Sequence, residues 1–165
     1  MKIFLLKNIF LLSFISICIN SFGQKSLPKS ILIDLDGEIV NVRDVVSKDQ
    51  ITILSFWATW CYPCIKELDA IGSLYEEWQE ELNVELIAIS VDDARTQKRI
   101  KTIIERKKWP YKFLLDKNEK FKTKLNLPSV PQTVVVKDHK IIYSRSGYIS
   151  GDEFKLYEVI KKNKD

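Results

Sequence analysis

The chain has 165 residues, with 26 Lys and Arg against 22 Asp and Glu for a formal net charge of +4, three cysteines and one histidine. That length gives one domain with a sizeable core and leaves no room for a second. The small charge excess does not suggest nucleic acid: the basic cluster Arg95, Lys98, Arg99, Lys101, Arg106, Lys107 and Lys108 shares its stretch with Ile100, Ile103 and Ile104, the pattern of a solvated helix face.

The first segment is Lys2 and Lys7, an apolar stretch from Ile9 to Ile19, and the small-residue run Asn20-Ser21-Phe22-Gly23. This is the layout of a secretory signal, with cleavage expected after Gly23. Its apolar core of 11 residues falls short of the ~20 that a membrane span needs. Lipid modification at Cys18 would place the bulky Ile17 where a small residue is wanted, and an uncleaved N-terminal anchor is the other alternative. Removing residues 1–23 from 165 leaves 142, residues 24–165, as the single domain, with 24 basic against 22 acidic side chains once Lys2 and Lys7 are gone. An exported, periplasmic protein is expected.

Beyond the leader, Ile31 to Leu35 and Glu38 to Val42 flank Asp36-Gly37, a strong hairpin signal. Ile51 to Trp57 and Val84 to Val91 are continuous apolar runs of strand length, as expected of central parallel strands buried on both faces. Between them Ile65, Leu68, Ile71, Leu74, Tyr75, Trp78 and Leu82 recur at helical spacing, which predicts one crossover helix from the cysteines to about Leu82. A second helix is predicted from Ala94 to Trp109, stopped by Pro110, then a short strand Lys112 to Leu115 and a helix around Asn118 to Leu125. Thr133 to Val136 and Ile141 to Ser146 should pair antiparallel across the turn Lys137 to Lys140, where His139 is a turn residue, and Asp152 starts a last amphipathic helix. The order implies an α/β fold, a mixed central sheet with helices on both faces and an extra N-terminal β-hairpin.

The chemistry concentrates in Trp60-Cys61-Tyr62-Pro63-Cys64, between the strand ending at Trp57 and the helical pattern beginning at Ile65. A bare C-x-x-C could be half a zinc site, a structural disulfide or a redox pair. Delivery onto the first turn of a helix favours redox chemistry, because the helix N-terminus stabilises a thiolate. With Cys18 removed, Cys61, Cys64 and His139 cannot supply four zinc ligands, so no metal site is expected. A disulfide closing so short a loop constrains the unfolded chain little and makes a poor staple.

Ser55 to Cys64 (SFWATWCYPC), Glu67 and Val130-Pro131-Gln132-Thr133 resemble the thioredoxin superfamily, and within it the exported TlpA/ResA-like thiol–disulfide oxidoreductases, over about Ile31 to Lys161. The resemblance implies a thioredoxin-like fold, Cys61 as the attacking cysteine, Cys64 as the resolving one, and Pro131 as a cis-proline facing them. Cys61 should then be exposed to a partner at the helix end, where N–H groups favour its thiolate, with Pro63 tolerated in the first turn and Cys64 more buried. Trp60, Tyr62, Pro63, Val130 and Pro131 are the expected substrate-binding residues. Of Trp57 and Trp60, one is expected in the core and the other over the dithiol. Pro128 reads as a simple helix stop.

Glu67 has two readings: a proton acceptor for Cys64 three residues away, or an acid serving the helix dipole. Ser55 stands where ordinary thioredoxins carry a buried Asp and cannot titrate near neutral pH, which shifts proton handling toward Glu67. Asp92 and Asp93, at a strand's carboxyl end, are either site residues or helix N-caps.

The leading function is an extracytoplasmic protein disulfide reductase, acting on secreted proteins with the Cys61–Cys64 disulfide in place of any cofactor. A membrane thiol-reductant donor and a monomeric state are expected, and cytochrome c maturation is a family-suggested role. Tyr62-Pro63 lacks the histidine of strongly oxidising relatives, which favours a reducing poise. The alternatives are a thiol oxidase or isomerase on the same fold, or a copper(I)-binding module, although copper carriers space the cysteines more widely and add a histidine. No isolated peroxidatic cysteine with a threonine and a distant arginine is evident.

Overall fold

The computed structural model describes residues 25–164, so the expected leader, Cys18 and the question of cleavage or anchoring lie outside the described residues. Seven strands form one sheet in the order β2-β1-β5-β4-β3-β6-β7. At its centre β3 (Ile51–Trp57) and β4 (Val84–Ser90) run parallel in register from Ile51 against Val84 to Trp57 against Ser90. Every residue of β3 is buried, which is why its sequence is apolar throughout instead of alternating. β5 (Lys112–Leu115) continues the parallel set beyond β4. The leading hairpin, β1 (Ile31–Asp34) and β2 (Ile39–Asn41), adds antiparallel to β5, its turn using Gly37 at a φ of 95°. On the other side β6 (Gln132–Lys137) pairs antiparallel with β3 and with β7 (Lys140–Ser146), through a turn in which Asp138 and His139 both have positive φ. His139 Nε2 lies 2.9 Å from the carbonyl of Val46.

Among the described residues there are six α-helices: α1 (Val42–Val45), α2 (Tyr62–Gly72), α3 (Tyr75–Leu82), α4 (Arg99–Lys107), α5 (Lys120–Lys124) and α6 (Asp152–Lys162). They cover both sheet faces. Phe56 and Trp57, consecutive on β3, point to opposite sides, and Phe56 meets Phe121 of α5 while Trp57 meets Trp109, just beyond α4, edge-on at 5.5 Å. Helices α2, α3 and α6 pack against one another. Among the described residues no helix is long and apolar enough to cross a membrane.

Three helices differ from the sequence expectation. The crossover helix is two helices broken at Ser73 and Leu74, where the Ser73 hydroxyl donates to the Ala70 carbonyl at 2.8 Å and the Leu74 N–H turns to Ile71 O instead; at the last residue of the first helix, Gly72 faces the Tyr111 hydroxyl, which donates to the Leu68 carbonyl at 2.8 Å. A Cβ on Gly72 would stand 3.0 Å from Tyr111 Oη. Helix α4 starts at Arg99, not Ala94, because Asp93 folds the chain after it into a turn by accepting from the N–H groups of Arg95 and Thr96. Arg95 and Lys98 of the basic cluster therefore precede the helix. The segment after β5 opens with a 3₁₀ turn, Lys117–Glu119, and α5 is confined to Lys120–Lys124, with the buried Asp116 accepting from the N–H groups of Phe121 and Lys122.

Candidate active site

β3 ends at Trp57 and a short turn delivers Cys61 to the N-cap of α2, in extended backbone geometry with φ −92° and ψ 94°. Cys61 and Cys64 are disulfide-bonded, their Cα atoms 5.3 Å apart. The Cys64 N–H donates to Cys61 Sγ at 3.3 Å, so the sulfur fills the place of an N-cap acceptor at a helix end with spare N–H groups. Pro63 stands in the first turn, where its missing N–H costs nothing. Cys64 has no exposed surface. Cys61 is 5 % exposed, which corrects the expectation of an openly presented sulfur: the Cys61 N–H bonds to Ala58 O and draws the residue under its neighbours. Exposure belongs instead to Trp60 (60 %) and Tyr62 (67 %) on either side, with Lys66 Nζ 4.9 Å above the Tyr62 ring. Trp57 is the core tryptophan and Trp60 the exposed one.

The turn before Cys61 is fixed by Asp92, which accepts from the Thr59 N–H at 2.9 Å, from Thr59 Oγ1 at 2.6 Å and from Ser90 Oγ at 2.8 Å. Asp92 is thus neither a helix cap nor a group directed at substrate. It ties the carboxyl end of β4 to the loop that carries the dithiol, and Asp93 takes the turn-capping role alone. Asp93 is held down at about 2 by the Arg95 guanidinium and the Thr96 N–H.

The Val130–Pro131 peptide is cis. Because Gln132 pairs with Phe56, the antiparallel register sets Pro131 level with Trp57, at the sheet end from which Cys61 emerges. Pro131 is buried and its carbonyl accepts from the Gly147 N–H at 2.9 Å. Val130 is partly exposed, and among the described residues its backbone N–H and C=O have no hydrogen-bond partner.

Glu67 sits on α2 with no exposed surface, so it is not an acid on the solvent side of the helix. Its Oε1 accepts from Thr133 Oγ1 on β6 and from Arg145 Nη2 on β7, both at 2.6 Å, while Oε2 is buried without a partner. Burial pushes the Glu67 carboxyl above its ordinary range, against the opposing pull of Thr133 and Arg145. Arg145 Nη1 also lies 2.6 Å from Asp152 Oδ2, within ion-pair range but out of hydrogen-bond alignment, and Lys155 Nζ reaches Asp152 Oδ1 at 3.0 Å. Ser55 Oγ and Trp57 Nε1 are buried without partners in the neighbouring core.

The sequence reading missed Arg145, Asp152 and the tie from Asp92 to Thr59. Thr133 stood inside the quoted Val130 to Thr133 segment, but nothing local marked Arg145, which lies 78 residues from Glu67.

Comparison with known proteins agrees with this geometry. Residues 23–145 match the AhpC/TSA family. The thiol–disulfide oxidoreductase ResA of Bacillus thuringiensis subsp. konkukian is 31 % identical over 139 residues, covering 84 % of this chain and 76 % of that protein. A thioredoxin-like protein from Porphyromonas gingivalis superposes with a TM-score of 0.73 at 34 % identity, over 87 % of this chain and 93 % of its own. The fold is shared at greater distance by a thiol:disulfide interchange protein DsbE from Chlorobium tepidum, with a TM-score of 0.75 at 15 % identity over 86 % and 97 % of the two chains.

Proposed function

The chain belongs to the AhpC/TSA family and is a thioredoxin-like thiol–disulfide oxidoreductase of the ResA type, and on that premise we propose that it works outside the cytoplasm as a reductant of protein disulfides. The observation that carries the direction of attack is the asymmetry of the pair. Cys61 Sγ lies at the helix end as hydrogen-bond acceptor, flanked by two exposed aromatic side chains, while Cys64 is wholly enclosed at the third helical position.

In the proposed cycle the Cys61 thiolate attacks a client disulfide, forming a mixed disulfide and releasing one client thiolate. Cys64 then passes its proton to Glu67 and attacks Cys61 Sγ. The Cys61–Cys64 bond forms, the bond to the client breaks, and the second client thiolate leaves, so the client gains two electrons and the enzyme loses two. The unpartnered backbone of Val130 offers an extended client segment a strand-like edge beside the dithiol, with Trp60, Tyr62 and Pro63 as the opposite wall. The dithiol itself carries the electrons, and no metal or further cofactor is invoked. A membrane thiol donor would restore the reduced state of a monomeric enzyme. Apocytochromes c, whose C-x-x-C-H disulfide must open before haem attachment, are the client class within this proposal.

Cys64→Ser, expressed in the native host as the full chain, tests it. Removal of the resolving thiol leaves Cys61 joined to its clients, so exported proteins containing disulfides should be captured in a form released by reductant. Capture confined to cytoplasmic proteins would overturn the extracytoplasmic assignment.

A further inference from the structure

Arg145 reaches into the buried part of the site between two carboxylates. Its Nη2 lies on Glu67 Oε1 and its Nη1 beside Asp152 Oδ2 at the first turn of α6, with 15 % of its side chain exposed. Thr133 Oγ1 converges on the same Glu67 oxygen. Two donors on Oε1 pin the carboxyl group from the sheet side, and the only Glu67 oxygen without a protein partner is Oε2. Cys64 is one helical turn before Glu67 on α2, within the i to i+3 spacing at which helix side chains meet.

We propose that Arg145 is a positioning residue of the dithiol site: by holding Glu67 through Oε1 it leaves Oε2 as the atom that takes the Cys64 proton when the mixed disulfide is resolved. The proposal rests on Glu67 being the proton acceptor described above and adds the device that sets it. The charges around Glu67 come from every packed element: Arg145 on β7, the neutral donor Thr133 on β6, Asp152 on α6, Tyr111 before β5, Tyr148 in the loop after β7, and Cys64 on α2 itself. Arg145 favours the Glu67 carboxylate and Asp152 opposes it. A proton acceptor must be ionised to act, so the two neighbours should move the acid limb of resolution in opposite directions.

Removing the Arg145 charge makes Glu67 harder to ionise, so its acid limb moves to higher pH. Removing the Asp152 charge makes Glu67 easier to ionise, so the limb moves to lower pH. Because the neutral Arg145 variant leaves buried carboxylates without their cation and could fold poorly, Asp152→Asn supplies an independent arm at the helix end.

The experiment follows the reaction of the reduced protein with a chromophoric aromatic disulfide, in which a first phase reports attack by Cys61 and a second reports resolution by Cys64, from acid to mildly alkaline pH. In wild type the second phase should lose rate below a single acid limb, and Glu67→Gln should abolish that limb. Arg145→Gln should raise its midpoint by about one pH unit or more, Arg145→Lys should restore it toward wild type, and Asp152→Asn should lower it. In a Glu67→Gln background neither neighbour should have any effect on the second phase. A limb that persists in Glu67→Gln overturns the proton-acceptor reading and this proposal together. A limb lost in Glu67→Gln but unmoved by Arg145→Gln and Asp152→Asn, or moved by both in the same direction, overturns the role of Arg145 alone.

Discussion

Cys61 Sγ takes the Cys64 N–H at a helix end, whereas Cys64 is enclosed, and thiol reactivity follows thiolate character and access. In the reduced protein, iodoacetamide at neutral pH is therefore expected to label Cys61 first, by about tenfold or more, the ratio that one unit of acidity difference alone would produce. Peptide mapping after brief alkylation checks it, and faster labelling of Cys64 would reverse the two roles. The residues of this site were unequally legible. Cys61, Cys64 and Pro63 carry local signals, since a C-x-x-C before a helical pattern is visible within a few residues, whereas Pro131 was marked only through the family resemblance of Val130 to Thr133. The environment of Glu67 was not legible. Its partners Thr133 and Arg145 lie 66 and 78 residues away, and no spacing rule reports which side chains a sheet will bring beneath a helix. The burial of Cys61 was equally hidden, because it follows from the backbone turn in which the Cys61 N–H bonds to Ala58 O.

The elements that read cleanly were those whose pattern depends on burial alone. β3 and β4 are apolar at every position because both faces of the central sheet are covered, and Asp36-Gly37 marks its hairpin by turn chemistry. The break between α2 and α3 was not legible, because the apolar period continues through Leu74 and Tyr75 and hides the Ser73 hydroxyl that takes the Ala70 carbonyl. The close approach of Tyr111 to Gly72 at the end of α2 carries a sign-specific prediction. Gly to Ala within a helix ordinarily gains about 1 kcal/mol, but Gly72→Ala should instead lower stability, since Tyr111 is held by Leu68 and packed edge-on against Tyr75 at 5.0 Å and has little room to retreat. Tyr111→Phe should cost about 1 kcal/mol for the lost hydrogen bond, and in that background Gly72→Ala should become neutral or stabilising. Urea midpoints of the four proteins decide it. A stabilising Gly72→Ala in the wild-type background would contradict the steric role of Tyr111 at Gly72.

For the whole molecule, the order of elements was enough to give an α/β fold with a mixed sheet, helices on both faces and a leading hairpin. It did not give the strand order, in which the hairpin docks on β5 and not on the central strands, because apolar periodicity says that a strand is buried without saying beside which neighbour. That arrangement places the carboxyl ends of β3 and β4, the start of β6 and the first turn of α2 at one end of the sheet, so the dithiol, Val130 and the Asp92 tie to Thr59 are set by the rigid part of the molecule. A reducing dithiol on this scaffold can be measured by equilibrating the full protein with glutathione redox buffers and reading the Cys61–Cys64 couple by thiol trapping. Its potential should lie nearer to that of thioredoxin, about −270 mV, than to that of a strong oxidant near −120 mV. A value above about −180 mV would make the protein an oxidase or isomerase instead of a reductase.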